Sequence, residues 1–171
     1  LGDDFSANRV FVPEMLIAAR CMSAATELLK PYMVGEGGES ATVGSAVIGT
    51  VRGDMHDIGK NLVKIMMEGS GIAVYDLGTD VSAEQFVETA VEHDCGIIDC
   101  SSLLTTTMNE MRRVVSLAQE KGIRKKVRIL IGGAPISQSF CDEIGADVYT
   151  EDAGAAARAA VEILKTCQTG K

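Results

Sequence analysis

Gly53-Asp54-Met55-His56-Asp57-Ile58-Gly59-Lys60-Asn61 follows the apolar run Val47-Ile48-Gly49-Thr50-Val51 and precedes Leu62-Val63-Lys64-Ile65-Met66-Met67. A short continuous apolar run, a polar turn and then apolar positions at helical spacing predict a buried strand, a loop and a helix. In an open parallel sheet the C-terminal end of such a strand opens onto the crevice where ligands bind. His56 falls at that edge, with Asp54 two residues before it and Gly59 three residues after it. A carboxylate that fixes one imidazole nitrogen leaves the other free to bind a metal. Taken alone, the triplet equally describes a satisfied loop histidine or a helix cap.

Outward from this stretch the chain alternates regularly. Strands are predicted over 45–51, 71–75, 96–100, 127–132 and 147–149, and helices over 59–68, 82–93, 108–121, 137–144 and 153–166. Ser82 before Ala83-Glu84-Gln85 carries a capping-box pattern, and Gly71 and Gly122 mark helix exits. Five strand–helix units with near-continuous apolar strands predict an α/β fold, a Rossmann-like or flavodoxin-like parallel sheet in the order 2-1-3-4-5. Ahead of it, Phe11, Met15, Leu16, Ala18, Ala19, Met22, Ala25, Leu28 and Leu29 recur at helical spacing, and Pro31 with Gly35-Glu36-Gly37-Gly38 ends that helix. The chain thus divides into a helical segment over 1–40 and an α/β domain over 41–171.

The 171 residues are 46% hydrophobic and 23% charged, enough to bury a core and unlike a disordered chain. No apolar run has the length of a bilayer span, so a cytoplasmic protein without membrane contact is expected. Cys21, Cys95, Cys100, Cys141 and Cys167 are scattered without C-x-x-C spacing, which supports neither a zinc ribbon nor a disulfide framework. A formal charge of −8 and the absence of Trp exclude an ordinary nucleic-acid surface.

Two more loops converge at the C-terminal edge of such a sheet. Ser101-Ser102-Leu103-Leu104-Thr105-Thr106-Thr107-Met108 follows the third strand, and Gly132-Gly133-Ala134-Pro135 follows the fourth. Each has an ordinary reading, as solvated turn hydroxyls or a tight glycine turn.

Asp54-x-His56-x-x-Gly59, then Ser101-x-Leu103, then Gly132-Gly133 resembles the three-part signature of cobalamin-binding corrinoid proteins. The wording GDMHDIGKN, GGAPIS and IGADVYTEDA is similar to the methyltransferase branch of that family, and the likeness spans about residues 10–166. Phe11-Val12-Pro13-Glu14-Met15 with Ala18-Ala19-Arg20 resembles the last helix of the four-helix cap that precedes the cobalamin domain of methionine synthase. On that likeness residues 1–40 are a partial helical cap, and Phe11 would face the methyl-bearing side of the corrin.

The resemblance implies cobalamin as cofactor, a corrinoid with cobalt that is methylcobalamin in turnover. Its dimethylbenzimidazole leaves the metal and the nucleotide tail threads between sheet and helices. His56 would take the vacated lower axial position, with Asp54 and then Thr107 behind it as a proton relay. Met55, Asp57 and Ile58 would contact the corrin around His56. Gly59, Gly132, Gly133 and Ala134 would leave room for the tail, Ser101 and Thr105 would bond its base and nucleotide, and Leu103 would form an apolar wall. Tyr149, Glu151 and Asp152 would make further tail contacts.

The function implied is a methyl carrier without catalysis of its own. Its partners would be a substrate-specific methyltransferase, a second methyltransferase acting on a pterin or thiol, and a reductive activase. A cobalamin-dependent sensory module and a mutase-type B12 subunit share the short signature. The absence of a basic helix-turn-helix argues against the first, and the cap-like helix and GDMHDIGKN wording favour the methyl carrier over the second.

Overall fold

A strand that is covered on both faces must be apolar at nearly every position. The central strands of the computed structural model meet that condition. It describes residues 42–168 and scattered positions between 4 and 25. The elements alternate along the chain: β1 (Gly44–Thr50), α1 (Ile58–Gly69), β2 (Ile72–Asp76), α2 (Ala83–Glu92), β3 (Ile97–Ser101), α3 (Met108–Glu120), β4 (Arg128–Gly132), α4 (Gln138–Ile144), β5 (Val148–Thr150) and α5 (Ala153–Gln168). All strand pairs are parallel and the order is β2-β1-β3-β4-β5, as the sequence predicts. Each strand and helix predicted for the α/β domain is present, with ends displaced by at most two residues.

Side chains alternate between the two faces of a strand, and register sets which neighbours they meet. Val47, Ile98, Cys100, Ile129 and Ile131 share a core with Phe86, Met111, Val114 and Phe140 from α2, α3 and α4. Ala46, Ile97 and Leu130 share the other with Met67 of α1 and Ala156, Ala157, Ala160 and Leu164 of α5. Gly49 lies inside β1 because a Cβ there would stand 2.8 Å from the Phe86 ring. Lys60 anchors α1 on β2 through a buried ion pair with Asp76, 2.7 Å from Nζ to Oδ1. Ser82 caps α2 with the reciprocal Gln85 bond of a capping box. Cys95, Cys100 and Cys141 are buried free thiols.

Of the segment before the sheet, Pro13, Glu14, Ile17, Ala18, Arg20, Cys21, Ala24 and Ala25 are helical and Phe11 is exposed. The remaining positions of the predicted cap helix, Met15, Leu16, Ala19, Met22, Leu28 and Leu29 among them, lie outside the described residues.

The face beneath α1 and α5 changes character toward the C-terminal ends of the strands. There Thr50, Ser101, Gly132 and Thr150 stand side by side across β1, β3, β4 and β5. One pleat deeper, Asp99 lies between Ile48 and Leu130. Only 5% of Asp99 is exposed, and burial pushes its carboxyl pKa up to about 7.

That burial makes stability depend on pH. In the unfolded chain the Asp99 carboxyl ionises near its ordinary value of 3.8, whereas the folded chain keeps its proton until about 7. The Asp99 contribution therefore favours the folded state most below about pH 4, declines up to about pH 7 and is level above it. Asp99→Asn removes the titration. Its stability relative to wild type should rise between pH 4 and pH 8 by at most on the order of 4 kcal/mol. Urea melts at the two pH values read this difference, and a constant gap would show that the carboxyl is solvated in the fold.

Candidate functional site

The loop after β1 turns at once, with Asp54 donating its backbone N–H to Val51 (3.1 Å). That turn carries the Asp54 side chain inward, where it has no solvent exposure. A buried carboxylate is tolerated only when donors surround it. Leu103 and Leu104 donate backbone N–H groups to Oδ2 at 2.7 and 3.2 Å, and Thr107 donates its hydroxyl at 3.2 Å. His56 donates its backbone N–H to Oδ1 at 3.1 Å, and its ring Nδ1 lies 2.6 Å from the same oxygen. Burial by itself would raise the Asp54 pKa; the donors from Leu103, His56 and Leu104 outweigh it and hold the carboxyl well below the usual carboxylate range.

An ionised Asp54 places the imidazole proton on Nδ1 and leaves the Nε2 lone pair available. The His56 side chain is 51% exposed, so that nitrogen is not sealed in the core. Thr50 holds the loop from beneath by donating its hydroxyl to the His56 carbonyl (2.8 Å). Asp80 holds it from the side by accepting the Gly53 N–H (2.7 Å). Around the histidine, Met55 and Ile58 are 70% and 76% exposed, and Leu103 and Leu104 also reach solvent. An apolar rim around one available imidazole fits a flat, mostly apolar group that carries its metal within it. Among the described residues no cluster of three or more His, Cys, Asp or Glu is arranged to hold a bare ion.

The structure brings Asp54, His56, Leu103 and Thr107 together. It sets Ser101 and Gly132 side by side on the face beneath α1 and α5. A Cβ on Gly132 would stand 3.3 Å from the Thr150 carbonyl. One on Gly133, whose φ is +136°, would fall 1.8 Å from the Ser102 carbonyl, so the β3 and β4 loops meet there backbone to backbone. Gly59 has open space where its Cβ would be. Asp57, Thr105 and Ala134 are exposed, as is Glu151, while Asp152 caps α5 by accepting the Ala155 N–H. Tyr149 packs into the core beneath α2, α3 and α4, on the sheet face opposite Ser101 and Gly132. Its neighbour Thr150 occupies the position beside Gly132.

Three supports escape a reading of the sequence. Ser102 is fully buried and hydrogen-bonded to the Thr107 hydroxyl (2.8 Å). Thr50, at the end of β1, and Asp80, in the loop after β2, brace the histidine loop. A run of hydroxyl residues does not show which of them turns inward. Thr50, a hydroxyl at the end of the apolar run Val47-Ile48-Gly49, is the available signal.

Comparison with known proteins agrees with this geometry. Residues 44–162 match the B12 binding domain family. The dimethylamine corrinoid protein 1 of Methanosarcina acetivorans is 44% identical over 96% of this chain and 76% of its own length. The dimethylamine corrinoid protein 3 of Methanosarcina mazei is 43% identical, over 96% of this chain and 98% of its own. Among solved structures, the methanol:cobalamin methyltransferase complex of Methanosarcina barkeri superposes with a TM-score of 0.85 at 30% identity, covering 99% of this chain and 62% of that one. The chain belongs to the B12-binding domain family. Within that family it is a corrinoid protein, and its cofactor is cobalamin. Among the described residues no helix is long and apolar enough to cross a membrane.

Thr107 carries the load between Asp54 and Ser102, so Thr107→Val should destabilise the fold by about 1–2 kcal/mol by leaving buried acceptors short of a donor. Thr107→Ser should recover most of that loss. Chemical denaturation compares the two, and equal stabilities would mean that the hydroxyl contributes nothing.

Proposed function

We propose that the protein is a methyl carrier in which His56, through Nε2, would hold the corrinoid cobalt. When bound, the corrinoid would supply the cobalt chemistry of methyl transfer, and the protein its ligation and access. The observation that carries the assignment is the 2.6 Å contact between Asp54 and His56 Nδ1, which presents Nε2 amid the exposed apolar rim. Asp54 orients the ring, Thr107 and Ser102 extend the hydrogen-bonded chain behind it, and Leu103 and Leu104 fix the carboxylate from the next strand. The hydroxyls of Thr107 and Ser102 have three acceptors in reach, namely Asp54 Oδ2, the Leu104 carbonyl and each other. This short chain can change which acceptor it serves as the histidine is bound or released. Gly59 leaves the backbone open and Gly132 keeps it small where the nucleotide tail would enter, Gly133 lets the β3 and β4 loops meet beside it, and Ser101 would stand at the mouth.

In this reading a substrate-specific methyltransferase loads the carrier, a second methyltransferase removes the methyl to a pterin or thiol, and a reductive activase restores an oxidised cobalt. A methyltransferase as partner is supported by the structural likeness to the methanol:cobalamin complex. The donor we assign is a methylated amine, on the strength of the dimethylamine corrinoid proteins that are 44% and 43% identical.

Reconstitution with corrinoid and electron paramagnetic resonance of the cobalt(II) state, with ¹⁵N-labelled histidine, tests the ligand. A histidine nitrogen coupled to cobalt is expected in the wild type and absent in His56→Ala. Coupling that survives in the variant would remove His56 from the role. Loading assays with dimethylamine-specific and methanol-specific methyltransferases test the donor. Loading by the dimethylamine enzyme is expected, and loading by the methanol enzyme alone would overturn the assignment.

A further inference from the structure

Asp99 is unlike every other buried acid of the described chain. Asp54 is ringed by donors and Asp76 is held by Lys60 and Lys64, whereas no protein group among the described residues hydrogen-bonds the Asp99 carboxyl. No fully buried side-chain oxygen among the described residues lacks a partner, so the Asp99 oxygens keep a little exposure. An unmatched polar group at that depth costs stability unless something else supplies the bond.

Its position points to what that is. Asp99 shares a sheet face with Ser101, because they are two apart on β3. The strand rise sets them about 6.6 Å apart along β3, close to the length of a bicyclic aromatic base. Small residues, Gly132 and Thr150, border Ser101, and α5 covers the same face with Ala156 and its alanine neighbours. The opposite face carries large side chains at this level, since Phe86 fills the space above Gly49. A base that enters beside Ser101 would therefore end at Asp99.

We infer that Asp99 is the far end of a subsite for the lower base of the corrinoid, and that this chain prefers bases carrying an N–H or O–H donor at that edge over dimethylbenzimidazole. The inference rests on the reading that the nucleotide tail lies in this groove. A carboxyl in either protonation state keeps an oxygen that accepts such a bond. Two methyl groups in the same place would leave it unpaired and more deeply buried. A site built to hydrogen-bond a ligand group rejects the analogue that lacks it.

The test is a binding titration of the apoprotein with three corrinoids that differ only in the lower base: hydroxybenzimidazole, adenine and dimethylbenzimidazole. Visible spectra give each Kd, and electron paramagnetic resonance with labelled histidine reports whether each binds with its base displaced. Wild type should bind the hydroxybenzimidazole form at least about tenfold more tightly than the dimethyl form, as one net buried hydrogen bond gives. Asp99→Ala should abolish that preference, mainly by tightening the dimethyl form. Equal affinities in wild type, or a preference that survives in Asp99→Ala, would overturn the inference while leaving the cofactor site intact. If every form binds with its base still on cobalt, the tail-groove reading falls and the inference with it. The wild-type ranking decides the matter alone should the variant not fold.

Discussion

The site depends on a carboxylate that water cannot reach. Asp54 has no exposed surface, and a bare charge there would not be tolerated. Donors from two strands meet it: the backbone of Leu103 and Leu104 and the hydroxyl of Thr107 from the β3 loop, and His56 from its own. One oxygen ties the two loops together while the other orients the histidine. Had the carboxyl remained in solvent, the imidazole would have no fixed tautomer and the β3 loop no tie to the histidine loop through this side chain.

This arrangement takes side chains away from ordinary structural work. Thr107 is the N-cap of α3 and Asp57 that of α1, yet neither side chain caps its helix. A cap bond is worth about 1 kcal/mol. Ser82 and Ser137, away from the site, do accept the bonds expected of N-caps. The difference follows the site: Thr107 serves Asp54, and the first turn of α1 stays open beside His56. A methyl carrier must offer its cofactor to more than one partner, and an exposed apolar rim above a rigid sheet edge suits that demand.

The two faces of the sheet divide the labour. The face under α2, α3 and α4 is filled by large side chains and closes the core, with Phe86 pressed against Gly49. The face under α1 and α5 narrows to small and polar residues toward the strand ends, and there Asp99 lies without a hydrogen-bond partner among the described residues. Both faces bury an apolar core, and in the proposed reading the nucleotide tail would be recognised on the second.

Much of this was legible in the residues. Five apolar runs, the Ser82–Gln85 cap and the order of strands follow from local periodicity and turn chemistry, which act over a few residues and leave their mark on the sequence. The Asp54–His56 pair was legible too, because two residues of spacing suffice to bring them together. Local pattern does not say which side chain of a hydroxyl run turns inward, and Ser102 was missed for that reason. Nor does it give sidedness at a strand end: Tyr149 reads as a groove residue, yet the pleat of β5 turns it to the opposite core and presents Thr150 instead. The isolation of Asp99 belongs to the same class. The sequence by itself determined the elements, their order and the histidine with its carboxylate. Only the tertiary structure decided which donors reach a buried charge and which face a residue occupies, because both depend on the register of strands far apart in the chain.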